Sequence, residues 1–142
     1  MANVAFSRGK AILVGTADWS NKSQSFKVLL ASDEYFPKST HKFVSDVVGE
    51  LSTGGYKRQE LTGRSIELAG DKAQCLADSV VLKGLTTSAK YKWAVVFRQN
   101  LSDSDSDLIC ALDIGRVSLR NVSEHTIHWG GKSGRGPVFS LT

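Results

Sequence analysis

Residues 91–98 constrain the fold more than any other part of the chain. Tyr91, Trp93, Val95 and Phe97 alternate with Lys92, Ala94, Val96 and Arg98, the period-two pattern of a strand whose ends are wet on one side. A second run, 108–114, repeats the alternation and places Leu108, Cys110, Leu112 and Ile114 on one face. The stretch between them, 99–107, is polar apart from Leu101, so the two strands are expected to form a hairpin with a long loop.

Further strand candidates occupy 26–30, 65–68, 73–77, 79–82, 117–119, 125–129 and 138–141, separated by turn signals at Gly54-Gly55, Gly63, Ala69-Gly70-Asp71 and Gly130-Gly131. Short strands at this spacing, with only 2 prolines and 13 glycines, predict a mainly β chain. The expected architecture is one antiparallel β-sandwich, jelly-roll-like, over residues 1–142. Two short helices are expected, at 8–14 and at 41–48, the second following Ser39-Thr40 with Phe43, Val44, Val47 and Val48 on one side.

With 142 residues, 41 % of them hydrophobic, the chain is large enough to bury a core without disulfides or a metal. Cys75 and Cys110 sit in apolar runs, where an unpaired cysteine is a small buried hydrophobe. Residues 1–6 do not read as a secretion signal, and no apolar stretch approaches the ~20 residues of a membrane span. A reducing intracellular setting and no membrane partner are therefore expected, and the sequons at Asn21, Asn100 and Asn121 reflect loop composition alone.

The chemical motifs each stop short of a site. Asp103, Asp105 and Asp107 alternate like the opening of a calcium loop, but Leu108 stands where the sharp-turn glycine belongs and Ile114 where the bidentate glutamate belongs. A solvated acidic loop is expected, with cation binding by those three aspartates left open. Gly131-Lys132-Ser133 ends a phosphate-loop pattern whose upstream glycine is replaced by Thr126 or Ile127, and too little chain follows to form a helix behind it. His125 and His128 are three apart, on opposite faces of a strand, and His41 is remote from both. No Gly-x-Ser-x-Gly elbow occurs. The expectation is a protein that is not an enzyme, with no catalytic residues, no metal and no cofactor. The formal charge of +4 is dispersed and traces no nucleic-acid groove, which suits docking on an acidic protein surface instead.

A more specific arrangement runs through nearly the whole chain. Gly9-Lys10 leads through Leu13 and Gly15 to Ala17-Asp18-Trp19, then Ser25 to Leu30, Tyr35-Phe36 and His41 to Asp46. Thr53-Gly54-Gly55-Tyr56 comes next, followed by 89–97, Asp107-Leu108-Ile109, Asp113-Ile114-Gly115, Thr126 to Trp129 and Val138 to Leu141. This order resembles a family of small structural proteins of tailed bacteriophage virions. It departs from the family's pattern in the turn at Gly70-Asp71-Lys72, which lacks the usual acids, and in the basic Gly-rich insert 131–136.

The resemblance implies a virion location, after assembly in the host cytoplasm, and a capsid cement or decoration protein. Such a protein forms a homo-oligomer, for example a trimer, and binds the major capsid protein. A tail or head-tail connector component of the same fold is the alternative it leaves open. A carbohydrate- or receptor-binding module is another reading, resting on Trp19, Tyr35 and Trp129 as exposed stacking rings. The segments expected at an interface are 2–8, 33–41, 103–107 and 132–135.

Overall fold

A computed structural model describes residues 3–15, 17–52, 54–131 and 134–141. The expected Ala2, Thr53, Lys132 and Ser133 features lie outside them. The fold is mainly β, several antiparallel sheets arranged as a sandwich-like single domain with one α-helix. Its strands are β1 (Val4–Ala5), β2 (Phe26–Ala31), β3 (Gln59–Glu60), β4 (Ser65–Ala69), β5 (Lys72–Asp78), β6 (Val80–Lys83), β7 (Lys90–Arg98), β8 (Asp107–Ser118), β9 (Glu124–Ile127) and β10 (Arg135–Leu141). Helix α1 spans Ser7–Gly15.

The expected hairpin is the centre of the molecule: β7 and β8 pair antiparallel inside a five-stranded sheet ordered β1-β8-β7-β2-β3. The run 117–119, expected as a separate strand, is mostly the end of β8 instead. Strict alternation also fails in two places, and both are bulges. Val96 faces Cys110 while Phe97 faces Leu108, leaving Ile109 unopposed. The extra residue sends Leu108 to one face and Cys110 to the other, where the sequence pattern puts them together. Farther along, Tyr91 faces Val117 but Trp93 faces Asp113, and the surplus chain is taken up around Gly115, whose φ of 82° suits only glycine. Tyr91 accordingly packs in a different cluster from Trp93, Val95 and Phe97.

The second layer is a three-stranded sheet, β10-β5-β4, and a two-stranded one, β6-β9. They form one bent ladder: β5 and β6 are a single chain run interrupted at Ser79, and their partners β10 and β9 are separated by residues 128–134. Ser79 closes the gap by donating its backbone N–H to Gly134 O at 2.7 Å. Between the two layers lies the larger core, with Phe26, Val28, Leu30, Ala94 and Val96 from one side and Cys75, Ala77, Val80, Leu82 and Val138 from the other. Both cysteines are free and buried, and burial pushes each thiol up to about 12.

The outer face of the five-stranded sheet is buried as well. Leu29, Ala31, Trp93, Val95, Phe97, Leu108 and Ala111 are covered by Phe6, Tyr35 and Val44. That cover is irregular chain: of the helix expected over 41–48, only a 3-10 turn at Val44–Asp46 forms. Asp46 accepts the backbone N–H groups of Lys42 and Phe43 at 2.9 and 3.1 Å, and Phe43 bridges to Asp107. These ties hold the segment extended up to Phe43 and stop a longer helix from starting.

Helix α1 lies against β8, on the same edge that β1 pairs with. A Cβ on the buried Gly9 would stand 2.6 Å from Leu108 O and 2.7 Å from Ile109 Cα, whereas one on Gly15 would meet nothing. Gly9→Ala is therefore expected to destabilise the fold by roughly 1–3 kcal/mol and Gly15→Ala to change it by about 0.5 kcal/mol or less, read from urea unfolding midpoints.

Candidate functional site

The acidic loop that closes the β7–β8 hairpin is the place to begin, because three of the expected features meet there. Asp107 is 1 % exposed. Its carboxylate receives Arg8 Nε at 2.8 Å on one oxygen, and Arg98 Nη2 at 2.8 Å, Arg98 Nε at 3.1 Å and Asn100 Nδ2 at 3.1 Å on the other. The site is assembled from helix α1, the end of β7 and the start of β8, and the Arg8 guanidinium also lies 4.7 Å from the Phe43 ring. Asp107 is thus a buried tether, where the sequence reading expects a solvated carboxylate.

Asp103 is engaged too. Arg58 donates to it at 2.7 and 3.0 Å and to Glu50 at 2.7 and 2.8 Å, one guanidinium serving two carboxylates in fork geometry. This contact holds the Asp103 carboxyl below the usual range, and the two acids raise Arg58. Tyr56 joins the set by donating its hydroxyl to Glu50 at 2.7 Å. Asp105 accepts the Ser102 N–H at 2.8 Å and so shapes the turn. Asp103, Asp105 and Asp107 have separate partners, and no group of three metal-ligating side chains occurs among the described residues.

The histidines are similarly dispersed. His41 Nδ1 lies 3.0 Å from the Tyr35 hydroxyl, and His125 Nε2 2.7 Å from the Tyr91 hydroxyl. His128 Nδ1 lies 2.8 Å from Ser79 Oγ, a spacing that would suit a nucleophile and its base. The Ser79 hydroxyl, however, donates to Gly134 O at 2.9 Å, and no hydrogen bond or ion pair among the described residues places a carboxylate on His128. Ser79 thereby joins His128, just after β9, to Gly134, just before β10. Trp19, Tyr35 and Trp129 are each 1 % exposed; the rings that carry the sugar-stacking reading are core residues.

Of the expected interface segments, the first is not a free arm where it is described: Val4 and Ala5 pair with Ala111 and Cys110, and Phe6 is buried. Segment 33–41 exposes Phe36, 75 % accessible, beside the buried Tyr35. Segment 103–107 exposes its turn, and Gly134 and Arg135 sit at the edge of the second layer.

Sequence reasoning missed a cleft of about 400 Å³ between the 20–22 turn, the link Leu61 to Arg64 and the start of β10. Arg64 organises it. Its guanidinium donates to the carbonyls of Trp19 at 2.6 Å, Gln24 at 2.5 Å, Leu61 at 3.2 Å and Asn21 at 3.3 Å, and lies 4.7 Å from the Phe26 ring. Backbone carbonyls leave no mark in a sequence, so nothing singles out Arg64 there.

No family model, no curated protein and no solved structure matches this chain. No helix among the described residues is long and apolar enough to cross a membrane.

Removing the charge of Asp107 leaves two guanidinium groups facing a buried neutral amide. Asp107→Asn is expected to cost roughly 3 kcal/mol, against about 0.5 kcal/mol or less for Lys10→Gln on the exposed side of α1, both from urea unfolding. The pH dependence follows from Asp46 and Asp103, both held below their ordinary range by hydrogen bonds to the charged form. A carboxyl depressed in the folded state contributes stability above its unfolded pKa of about 4 and loses it as pH falls through the folded value. Stability is therefore expected to fall below about pH 4, and less steeply in Asp46→Asn, measured by urea midpoints across pH.

Proposed function

We propose that this chain is a structural protein of a tailed-phage virion, a cement or decoration protein that docks on the major capsid lattice as a homo-oligomer. The observation that carries the reading is how the reactive groups are disposed. Asp107 and both thiols are buried, His41 and His125 are half-buried against tyrosine hydroxyls, and the exposed His128 has as its partner a Ser79 hydroxyl that itself donates to Gly134 O. Sheet edges and several large apolar side chains are among what faces outward. Strands β1, β3, β4 and β10 are sheet edges, and Val14, Phe36, Leu68 and Leu101 are between 75 % and 96 % accessible.

An edge strand offers backbone donors and acceptors to a neighbouring chain, and an exposed apolar side chain offers area to bury. The order of segments from Gly9-Lys10 to Val138-Phe139 supports the same reading through its resemblance to phage structural proteins. Mechanically, many weak contacts from one oligomer add up through high effective concentration. Each bound copy then favours the assembled shell by mass action.

Purified expanded heads lacking the protein provide the test. Added protein is expected to bind saturably and to raise the temperature at which heads lose their DNA. Absence of binding, with heat resistance the same with and without the protein, would discard the reading. Immunogold label confined to one vertex, in place of label over the head, would move the protein to the tail.

A further inference from the structure

Cys75 and Cys110, remote in sequence, come from opposite layers of the sandwich, Cys75 from β5 and Cys110 from β8. Both turn inward, 0 % and 3 % exposed, into the same core cluster between the layers. For Cys110 that direction is set by the bulge at Ile109, since strict alternation would put it on the face that Leu108 takes. The two thiols also act on each other: burial raises the Cys110 thiol most, and the nearby Cys75 sulfur adds to it through its charge.

A cleft of about 380 Å³ opens between the layers beside this pair, and Cys110 lines it. The wall from the second layer includes Gln74, next to Cys75 in β5, and Phe139, the cross-strand partner of Cys75. Its rims are the sheet edges β1 and β10. On one rim two residues of β1 cover β8, with Ala5 opposite Cys110. On the other, the β10 ladder shifts register between Pro137 and Phe139. Opposed sheets pack about 10 Å apart, and a disulfide needs its Cα atoms within about 7 Å. Drawing the layers together across the cleft is the movement that a bond between these sulfurs requires, and the cleft leaves room for it.

We propose that Cys75 and Cys110 are an inter-sheet redox pair, which a small disulfide converts from two thiols into one bond that clamps the two layers. Cys110, the one that lines the cleft, reacts first. It gives its proton to solvent, and its thiolate attacks one sulfur of R–S–S–R. That S–S bond breaks, and one thiolate leaves and takes up a proton. The Cys75 thiolate then attacks the Cys110 sulfur of the mixed disulfide and expels the second thiolate. Two protein thiols and R–S–S–R thus give one protein disulfide and two RSH; the cysteines lose two electrons and the small disulfide gains them. Burial pushes both thiols up to about 12, so at neutral pH they stay protonated while the cleft is closed to the oxidant. Oxidation proceeds from the locally opened form. The bond would clamp the layers whatever the chain docks on.

The test treats the full chain under native conditions with glutathione disulfide and reads intact mass, tryptic peptides without reductant, amide spectrum and urea unfolding. The expected product is a monomer lighter by two hydrogens, with the Cys75 and Cys110 peptides joined and the native spectrum kept. Its urea midpoint is expected to lie roughly 1–2 M above that of the reduced chain and to return on adding dithiothreitol. Formation is expected to speed up about tenfold between about pH 7 and 8, because the thiolate is the attacking species. Cys75→Ala is expected to stop at a glutathione adduct on Cys110, with no rise in midpoint. Thiols that stay free, adducts or intermolecular dimers of the wild type without the internal bond, or a cross-linked chain whose spectrum is lost or whose midpoint falls, would each overturn the proposal.

Discussion

A five-stranded antiparallel sheet buried on both faces needs something on each side, and this chain has a second sheet for only one of them. The other face is covered by irregular backbone and the start of a short helix. Such a cover contributes few apolar side chains, chiefly Phe6, Tyr35 and Val44, and must be held by polar ties. Asp107 is the centre of those ties. It joins Arg8 of α1 to Arg98 of β7 and bridges to Phe43 through its backbone. Around it, Val44 and Ser45 donate to Ser106 O and Asp103 O, and Ser7 to Ser39 O. A buried carboxylate is costly to desolvate, so it persists only where its oxygens are fully satisfied; here both oxygens are.

The parts of this arrangement that were legible from sequence are those governed by side-chain period. The β7–β8 hairpin, its polar loop, the two buried cysteines and the mainly β architecture follow from where apolar residues fall. Bulges do not. Ile109 looks like any alternating residue, yet its unopposed position decides which face Leu108 and Cys110 occupy. The segment 41–48 has helical spacing, but Val44, Val47 and Val48 are β-branched and weak helix formers. The Asp46 carboxylate binds the N–H groups at the start of the segment, so only one turn closes.

The same reasoning explains why the candidate sites changed character. Asp103 and Asp107 sit two apart from Asp105, a pattern that suggests one shared cation, and their real partners, Arg58, Arg98 and Arg8, are scattered through the sequence. Arg64 is the converse case: a cation whose hydrogen-bond partners are backbone carbonyls, which no residue type in the sequence announces. In both places the sequence shows charge but not its compensation. The dispersed +4 is thereby resolved in part, into arginines such as Arg8, Arg58 and Arg98 that are paired within the fold.

The central claim is that Asp107 holds the cover on the sheet as a unit, and native-state hydrogen exchange on Asp107→Asn tests it most directly. The amides of Phe6, Ser7, Val44, Ser45 and Leu108, each bonded across the cover in the wild type, are expected to lose protection together by roughly a hundredfold. A loss confined to residues 99–107, with Phe6, Ser7 and Val44 unchanged, would contradict the account.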